Sequence, residues 1–433
     1  MNNRINAGLV RGIRRWDLLA LVLNSIIGAG IFGLPSKVFA LAGPYSLAAY
    51  VVCAVPVVLI VLCFAELGSR FNETGGPYIY TQQAFGSFIG FEVGWLMWLA
   101  RVTAFASLCN LFVGYLGYFW PAVTTGWWRV TVIGMVVVCL TVVNLVGVRR
   151  AAWVGNAFTL GKLIPLMLFV ATGVFFIHPG NYSLVAPPGY HAFSSAVLLL
   201  VFAFSGFEVA VIPAGEVRDP QRHMPFALLV GIGIVAVLYV LVQFVCIGTL
   251  PALATSDRPL ADAAQRFFGG AGAAVVSLGA LISVTGTLNA IMLAAPRLLF
   301  AQAERAQLPR CLALTHPRFH TPHLAILVSA IIMLVLTLWG TFISALTIST
   351  ITRLVAYALT CAAVPVLRRR RTAPAAAFLI PAGALVATLA LTLCIWLLSN
   401  SAWSEARLVL MAAALGLIIL AVNRVSRPTQ ARG

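Results

Sequence analysis

The stretch Asn24-Ser25-Ile26-Ile27-Gly28-Ala29-Gly30-Ile31-Phe32-Gly33-Leu34-Pro35 sits inside a long apolar run, and its reading decides the fold. Hydrocarbon offers no hydrogen-bond partners, so a helix unwinds at bilayer depth only where protein, water or a ligand satisfies the freed N–H and C=O groups. Glycine also serves membrane helices as a packing surface. Here the clustering of Gly28 and Gly30 with Pro35 downstream favours an unwound turn. Such a turn exposes the N–H groups that start a second half-helix, whose positive dipole end suits a carboxylate. The carbonyls that end the first half-helix suit an ammonium group.

Phe202-Ala203-Phe204-Ser205-Gly206-Phe207-Glu208 repeats the device in the second half of the chain. Two breaks in corresponding positions of two halves point to a solute site near the membrane midplane of a secondary transporter built from inverted repeats.

The surrounding composition agrees. Of the 433 residues, 61% are hydrophobic and 9% charged, and the mean hydropathy is +1.00. That excludes a soluble globule with an ordinary surface. Stretches of about 20 apolar residues, enough to cross a roughly 30 Å hydrocarbon core as helix, can be placed twelve times: 16–41, 44–68, 88–119, 128–147, 153–177, 193–213, 224–249, 271–299, 323–339, 342–366, 375–398 and 404–422. The expectation is an all-α integral membrane protein of 12 transmembrane helices, one domain over residues 1–433. Residues 16–177 form a first five-helix repeat, 193–366 an inverted second, and 375–422 two peripheral helices. An odd number of crossings per repeat inverts the second copy.

A net charge of +17 in so apolar a chain reports topology rather than nucleic-acid binding. With a cytoplasmic N-terminus, 20 of the 28 Lys and Arg fall on the cytoplasmic side. Five lie outside (Lys37, Arg129, Arg258, Arg266 and Arg407), and Arg101, Lys162 and Arg353 lie within spans. Both termini are therefore expected in the cytoplasm. Arg4, Arg11, Arg14 and Arg15 lead into the first span without a cleavage pattern, so that helix is expected to be retained. Arg368 to Arg371 form a stop signal and an anionic-lipid contact. Seven cysteines (Cys53, Cys63, Cys109, Cys139, Cys246, Cys361 and Cys394) lie in spans and Cys311 in a loop. All read as reduced small hydrophobes with no metal spacing. His178, His191, His223, His316, His320 and His323 fall in loops or at span edges, also without metal spacing.

Four ionisable residues interrupt the spans. Glu208 reads as the only acid deep in a span. A carboxylate there costs on the order of 2.5 to 3.5 kcal/mol on insertion scales, which requires a reason: an ion pair with Arg101 or Arg353, or a gating or proton-responsive role. Lys162, within Asn156-Ala157-Phe158-Thr159-Leu160-Gly161-Lys162-Leu163-Ile164-Pro165, is one of only two lysines and lies too deep to snorkel. It is a structural cation, or it is the proton carrier, since an amine withdrawn from water holds its proton less firmly. Arg101 and Arg353 stay charged, and each must face water, an acid or an anion. Arg101 has two readings: a salt bridge to Glu208, or a cavity-lining charge that favours a substrate with extra negative charge and disfavours a cationic one.

These segments together resemble the amino acid, polyamine and organocation transporter superfamily, specifically its amino acid permease branch. The resemblance covers nearly the whole chain. Besides the two glycine breaks, it rests on Phe64-Ala65-Glu66-Leu67-Gly68-Ser69-Arg70-Phe71 followed by Gly75-Gly76-Pro77-Tyr78, on Ala214-Gly215-Glu216-Val217-Arg218-Asp219-Pro220 with Arg222, and on Pro296-Arg297-Leu298-Leu299-Phe300-Ala301 running to Leu308-Pro309. It implies a LeuT-type five-plus-five inverted repeat with helices 1 and 6 broken, helices 11 and 12 outside the repeat, and alternating access. By the same resemblance the substrate amino and carboxyl groups bind at Ile26, Gly28, Ala29, Gly30 and Ile31 and at Phe202, Ser205 and Gly206. Arg101, Phe105 and Leu108 line the side-chain pocket. Lys162 matches the fifth-helix lysine that stands in for sodium in sodium-independent members. Two positions depart from the pattern: many members carry serine where Ala29 stands, and Arg101 occupies a position more often small or neutral.

The sequence therefore implies a permease of the cell inner membrane that moves amino acids with protons. Its partners are an amino acid, the proton and membrane lipid, with no cofactor and no nucleic acid. An exchanger without net proton movement is the rival within transport. An integral-membrane enzyme is the rival from another class, and it would need clustered acid, His or Cys groups that the sequence does not supply.

Overall fold

The computed structural model describes residues 13–73, 75–146, 151–183, 187–212, 214, 217–319 and 321–425. Of the residues singled out above, Arg4, Arg11, Arg149, Arg150, Gly215, Glu216, His320, Arg427 and Arg432 lie outside these. So do the side chains of Ala29, Asn156, Ala157 and Arg424.

The described residues form fifteen α-helices, in order: α1 (Arg15–Ile26), α2 (Ala29–Ala42), α3 (Ser46–Gly68), α4 (Pro77–Phe85), α5 (Ser87–Leu116), α6 (Gly126–Val146), α7 (Ala151–Gly173), α8 (Tyr190–Phe204), α9 (Glu208–Val211), α10 (Pro220–Thr249), α11 (Pro259–Glu304), α12 (His323–Trp339), α13 (Phe342–Arg369), α14 (Gly383–Ser399) and α15 (Trp403–Val425). Among the described residues the only β pairing is one isolated bridge between Ile13 and Val217. Among the described residues, eight helical segments are long and apolar enough to cross a membrane, and three shorter apolar helices (α8, α12 and α14) accompany them. An all-helical answer is what hydrocarbon demands, because a helix satisfies its backbone internally.

The helices sort by how much of their circumference is buried. α5 lies at the centre, packed most extensively against α13 and α11, and its middle from Trp95 to Cys109 is buried almost throughout. α6 and α15 are peripheral and expose Met135, Val138 and Val142, and Leu410, Met411 and Leu415. In water such rows would be a liability; against lipid they are an ordinary outer surface. α1 packs on α10 and α7, α2 on α8, and α3 on α10 and α8, so both interrupted helices are held inside the bundle.

Three boundaries differ from those read in the sequence. α11 begins at Pro259 and bends at Gly269 (φ 62°, ψ −154°), so residues read as an external connection are helical up to a glycine kink. α4 occupies the connection left between the spans 44–68 and 88–119; Pro77 at its first turn has a preset φ and lacks an N–H that would go unpaired there anyway. α14 starts at Gly383, not near 375. Pro374 and Pro381 interrupt the segment before it. The N–H of Phe378 goes to Ser69 Oγ at 3.1 Å and that of Ile380 to Glu66 Oε2 at 3.1 Å, in place of a helical ladder.

Those bonds also identify a second buried acid besides Glu208. Glu66, near the end of α3, is fully buried. It accepts hydrogen bonds from Arg70 Nη2 (2.9 Å), Arg368 Nε (2.8 Å) and Arg368 Nη2 (2.5 Å). Both arginines come from segments read as surface, which hid the pairing.

A candidate solute site between two broken helices

The two interruptions are real and face each other. α1 stops at Ile26; Ile27 (φ −73°, ψ 91°) and Gly28 (φ −132°, ψ −140°) are non-helical before α2 resumes. α8 stops at Phe204, Ser205 is extended, and Gly206 has φ +118°. A Cβ on Gly206 would lie 2.2 Å from the carbonyl oxygen of Ser25, and one on Gly30 would lie 2.5 Å from the Cα of Ala203. Only glycine permits this approach, and at Gly206 only glycine takes the backbone angle without strain.

Several of the freed carbonyls are met by buried side-chain donors, as burial requires. Lys162, wholly buried on α7, donates from Nζ to the carbonyl of Ile27 at 2.7 Å and to that of Asn24 at 3.0 Å, with Thr287 Oγ1 at 3.4 Å. Ser283 adds a longer bond to Ile27 at 3.4 Å. The hydroxyl of Tyr239 on α10 lies 3.1 Å from the carbonyl of Ile26 and 3.2 Å from that of Ala203. One proton is thus shared between the two broken helices. Ser205 Oγ donates to the carbonyl of Phe202 at 2.7 Å.

Glu208, one residue past the second break, is fully buried. Its Oε2 accepts from the N–H of Gly206 at 2.8 Å and from the hydroxyl of Tyr357 at 2.8 Å. Its Oε1 is bonded to Arg353 Nη1, and Arg353 Nε reaches Ser349 Oγ at 3.3 Å. Ser349, Arg353 and Tyr357 recur every fourth residue and so share one face of α13. Arg353, not Arg101, is the ion-pair partner.

Between the breaks lies a cavity of about 30 Å³. Ile26, Gly28, Gly30, Arg101, Leu108, Phe202, Ser205 and Gly206 line it. Ile31 and Phe105, also singled out in the sequence, are wholly buried nearby but do not line it. Ala29 opens α2 through its backbone. Lys162 sits behind the first break, in contact with its carbonyls. Sequence reasoning missed Ser25, Ala104, Val209, Thr287, Ala290 and Ile291 in the lining, and Tyr239 and Tyr357 behind it. The signals available were polar pairs four residues apart on apolar helices: Ser283 with Thr287, and Arg353 with Tyr357. Arg101 is 1% exposed, and Nε, Nη1 and Nη2 have no hydrogen-bond partner among the described residues.

The chain is similar to known proteins over most of its length. The model of a family described as amino acid permease matches residues 13–422. The serine/threonine exchanger SteT of Bacillus subtilis (strain 168) is 30% identical over 388 residues, covering 86% of this chain and 87% of that one. A methylthioribose transporter of the same organism is 28% identical, covering 90% and 88%. Its branched-chain amino acid permease BcaP is 26% identical, covering 95% and 92%.

Proposed function

We propose that this chain, which belongs to the amino acid permease family, is a secondary transporter that carries amino acids between the two breaks by alternating access. Its helices group as twelve crossings in this reading. α1 with α2 and α8 with α9 are the interrupted first and sixth crossings, α3 to α7 without α4 complete the first repeat, α10 to α13 complete the second, and α14 and α15 lie outside. Charge asymmetry puts both termini in the cytoplasm, and a cell inner membrane follows for a bacterial-type permease. Trp127, Trp128, Trp339 and Trp403 are exposed at helix ends that this topology assigns to the outer interface, where amphipathic rings settle.

The observation that carries the reading is the ammonium of Lys162 bonded to the carbonyls of Ile27 and Asn24. A cation built into the protein occupies the carbonyl-rich end of the first half-helix, where a transporter driven by sodium would hold its ion. Transport is then independent of sodium, and loading and unloading of a proton on Lys162 supplies the coupling, with Glu208 as the gating carboxylate between Arg353 and Tyr357. The N–H groups that open α2 receive the substrate carboxylate. Alternating access requires the half-helices to part and close again around this cavity.

Exchange is the second reading, favoured by a relative named as a serine/threonine exchanger at 30% identity. Purified protein in proteoliposomes separates the two. Proton symport is expected to give uptake into empty vesicles that rises with an inward proton gradient and ignores sodium. Uptake that needs internal counter-substrate and ignores the pH gradient establishes exchange.

A further inference from the structure

Among the described residues, Arg101 is the one strongly charged group lining the cavity without an ion-pair partner. It projects from α5 into the lining beside Ala104 and Leu108, residues three and seven places on and therefore on the same helix face. Guanidinium has five N–H donors and keeps its charge, and burying it unpaired is costly. Glu208 and Arg353 are its electrostatic neighbours, but both Glu208 oxygens are committed, one to Arg353 and the other to Gly206 and Tyr357. The lining itself contains two arginines and no acid. Two guanidinium groups thus share a single carboxylate, leaving one positive charge uncompensated.

A neutral amino acid does not cancel that charge, because its own two charges sum to zero and the half-helix ends serve both. We propose that the site selects amino acids with a carboxylate side chain, which Arg101 receives as a bidentate ion pair. This rests on the transport reading above and deepens it. An amide side chain of the same shape leaves the guanidinium without its charged partner, and a cationic side chain is repelled.

The test compares L-glutamate and L-aspartate with L-glutamine, L-asparagine, L-serine and L-arginine as substrates and competitors, using the full chain in proteoliposomes. The acids are expected to act at concentrations about 10- to 100-fold lower than their amides, the range of a hydrogen bond to a charged group, and L-arginine to be excluded. Arg101→Gln is expected to bring acid and amide level, and Arg101→Lys to keep part of the preference. Wild-type protein that takes the amides or L-serine as well as the acids overturns the proposal while leaving amino acid transport standing. So does an Arg101→Gln variant with an unchanged acid-to-amide ratio. Absence of uptake, exchange and competition for every amino acid overturns the transport reading itself. The wild-type comparison needs no variant to fold.

Discussion

The ammonium of Lys162 lies 2.7 Å from the carbonyl oxygen of Ile27 and supplies the hydrogen bond that the interrupted helix lost. A turn of unwound backbone inside an apolar bundle persists only while such donors remain, so whatever alters Lys162 alters the site.

Lys162→Ala is therefore expected to abolish gradient-driven accumulation while leaving some substrate binding. Each carbonyl that loses a charged donor forfeits about 1.5–3 kcal/mol, so the apparent melting temperature should also fall. Uptake under an imposed pH gradient, set against ligand-induced thermal shifts of the same variant, reads the two effects separately. Undiminished pH-driven accumulation contradicts the coupling role.

Glu208→Gln keeps the side chain's shape and an acceptor, but leaves Arg353 and Arg101 buried without any counter-charge. Removing one partner of a buried pair costs about 3–5 kcal/mol, visible as a large drop in thermal stability in detergent. Arg353→Met alone should also destabilise, and the double variant should be more stable than the sum of the two losses predicts. Strict additivity in that cycle shows that the pair is not coupled.

Gly206→Ala combines a close approach of 2.2 Å to the carbonyl of Ser25 with a backbone at φ +118°. Transport should fall about 10-fold or more, since a few kcal/mol of strain at the break displaces the half-helices. Gly180→Ala, where nothing lies within 4 Å, should transport like wild type. Equal activities would show that the breaks do not need their close contact.

Arg368→Gln removes two of the hydrogen bonds that tie Glu66 on α3 to the end of α13. Cys63 and Cys361 are buried and free one or two turns away, and their maleimide labelling should rise several-fold as that end loosens. Peptide-level mass spectrometry distinguishes them from Cys139 and Cys311, which are exposed already. Labelling confined to those two would mean that the network does not hold the end shut.

Much of this was legible in the linear chain, for reasons of scale. Helix formation in hydrocarbon depends on about 20 consecutive apolar residues, and unwinding on glycines within a few positions of one another. Both are local, so the breaks at Gly28 and Gly206 could be placed before any coordinates. Lys162 and Arg101 were conspicuous because charge in an apolar segment is rare. Boundaries were less legible: Pro374 and Pro381 delay α14 by directing backbone donors to Glu66 and Ser69, partners some 300 positions earlier in the chain.

Local sequence determined an all-helical membrane bundle, two interrupted helices and a short roster of buried charges. Which charge meets which was decided only by the packing of helices distant along the chain. Glu208 had two arginines available, and the face that α13 turns toward the second break gives it Arg353, 145 positions away. Arg101, on α5, is left facing the cavity alone. An ion pair depends on ångström-scale approach between side chains, and no period in a single helix encodes the rotation of its neighbour.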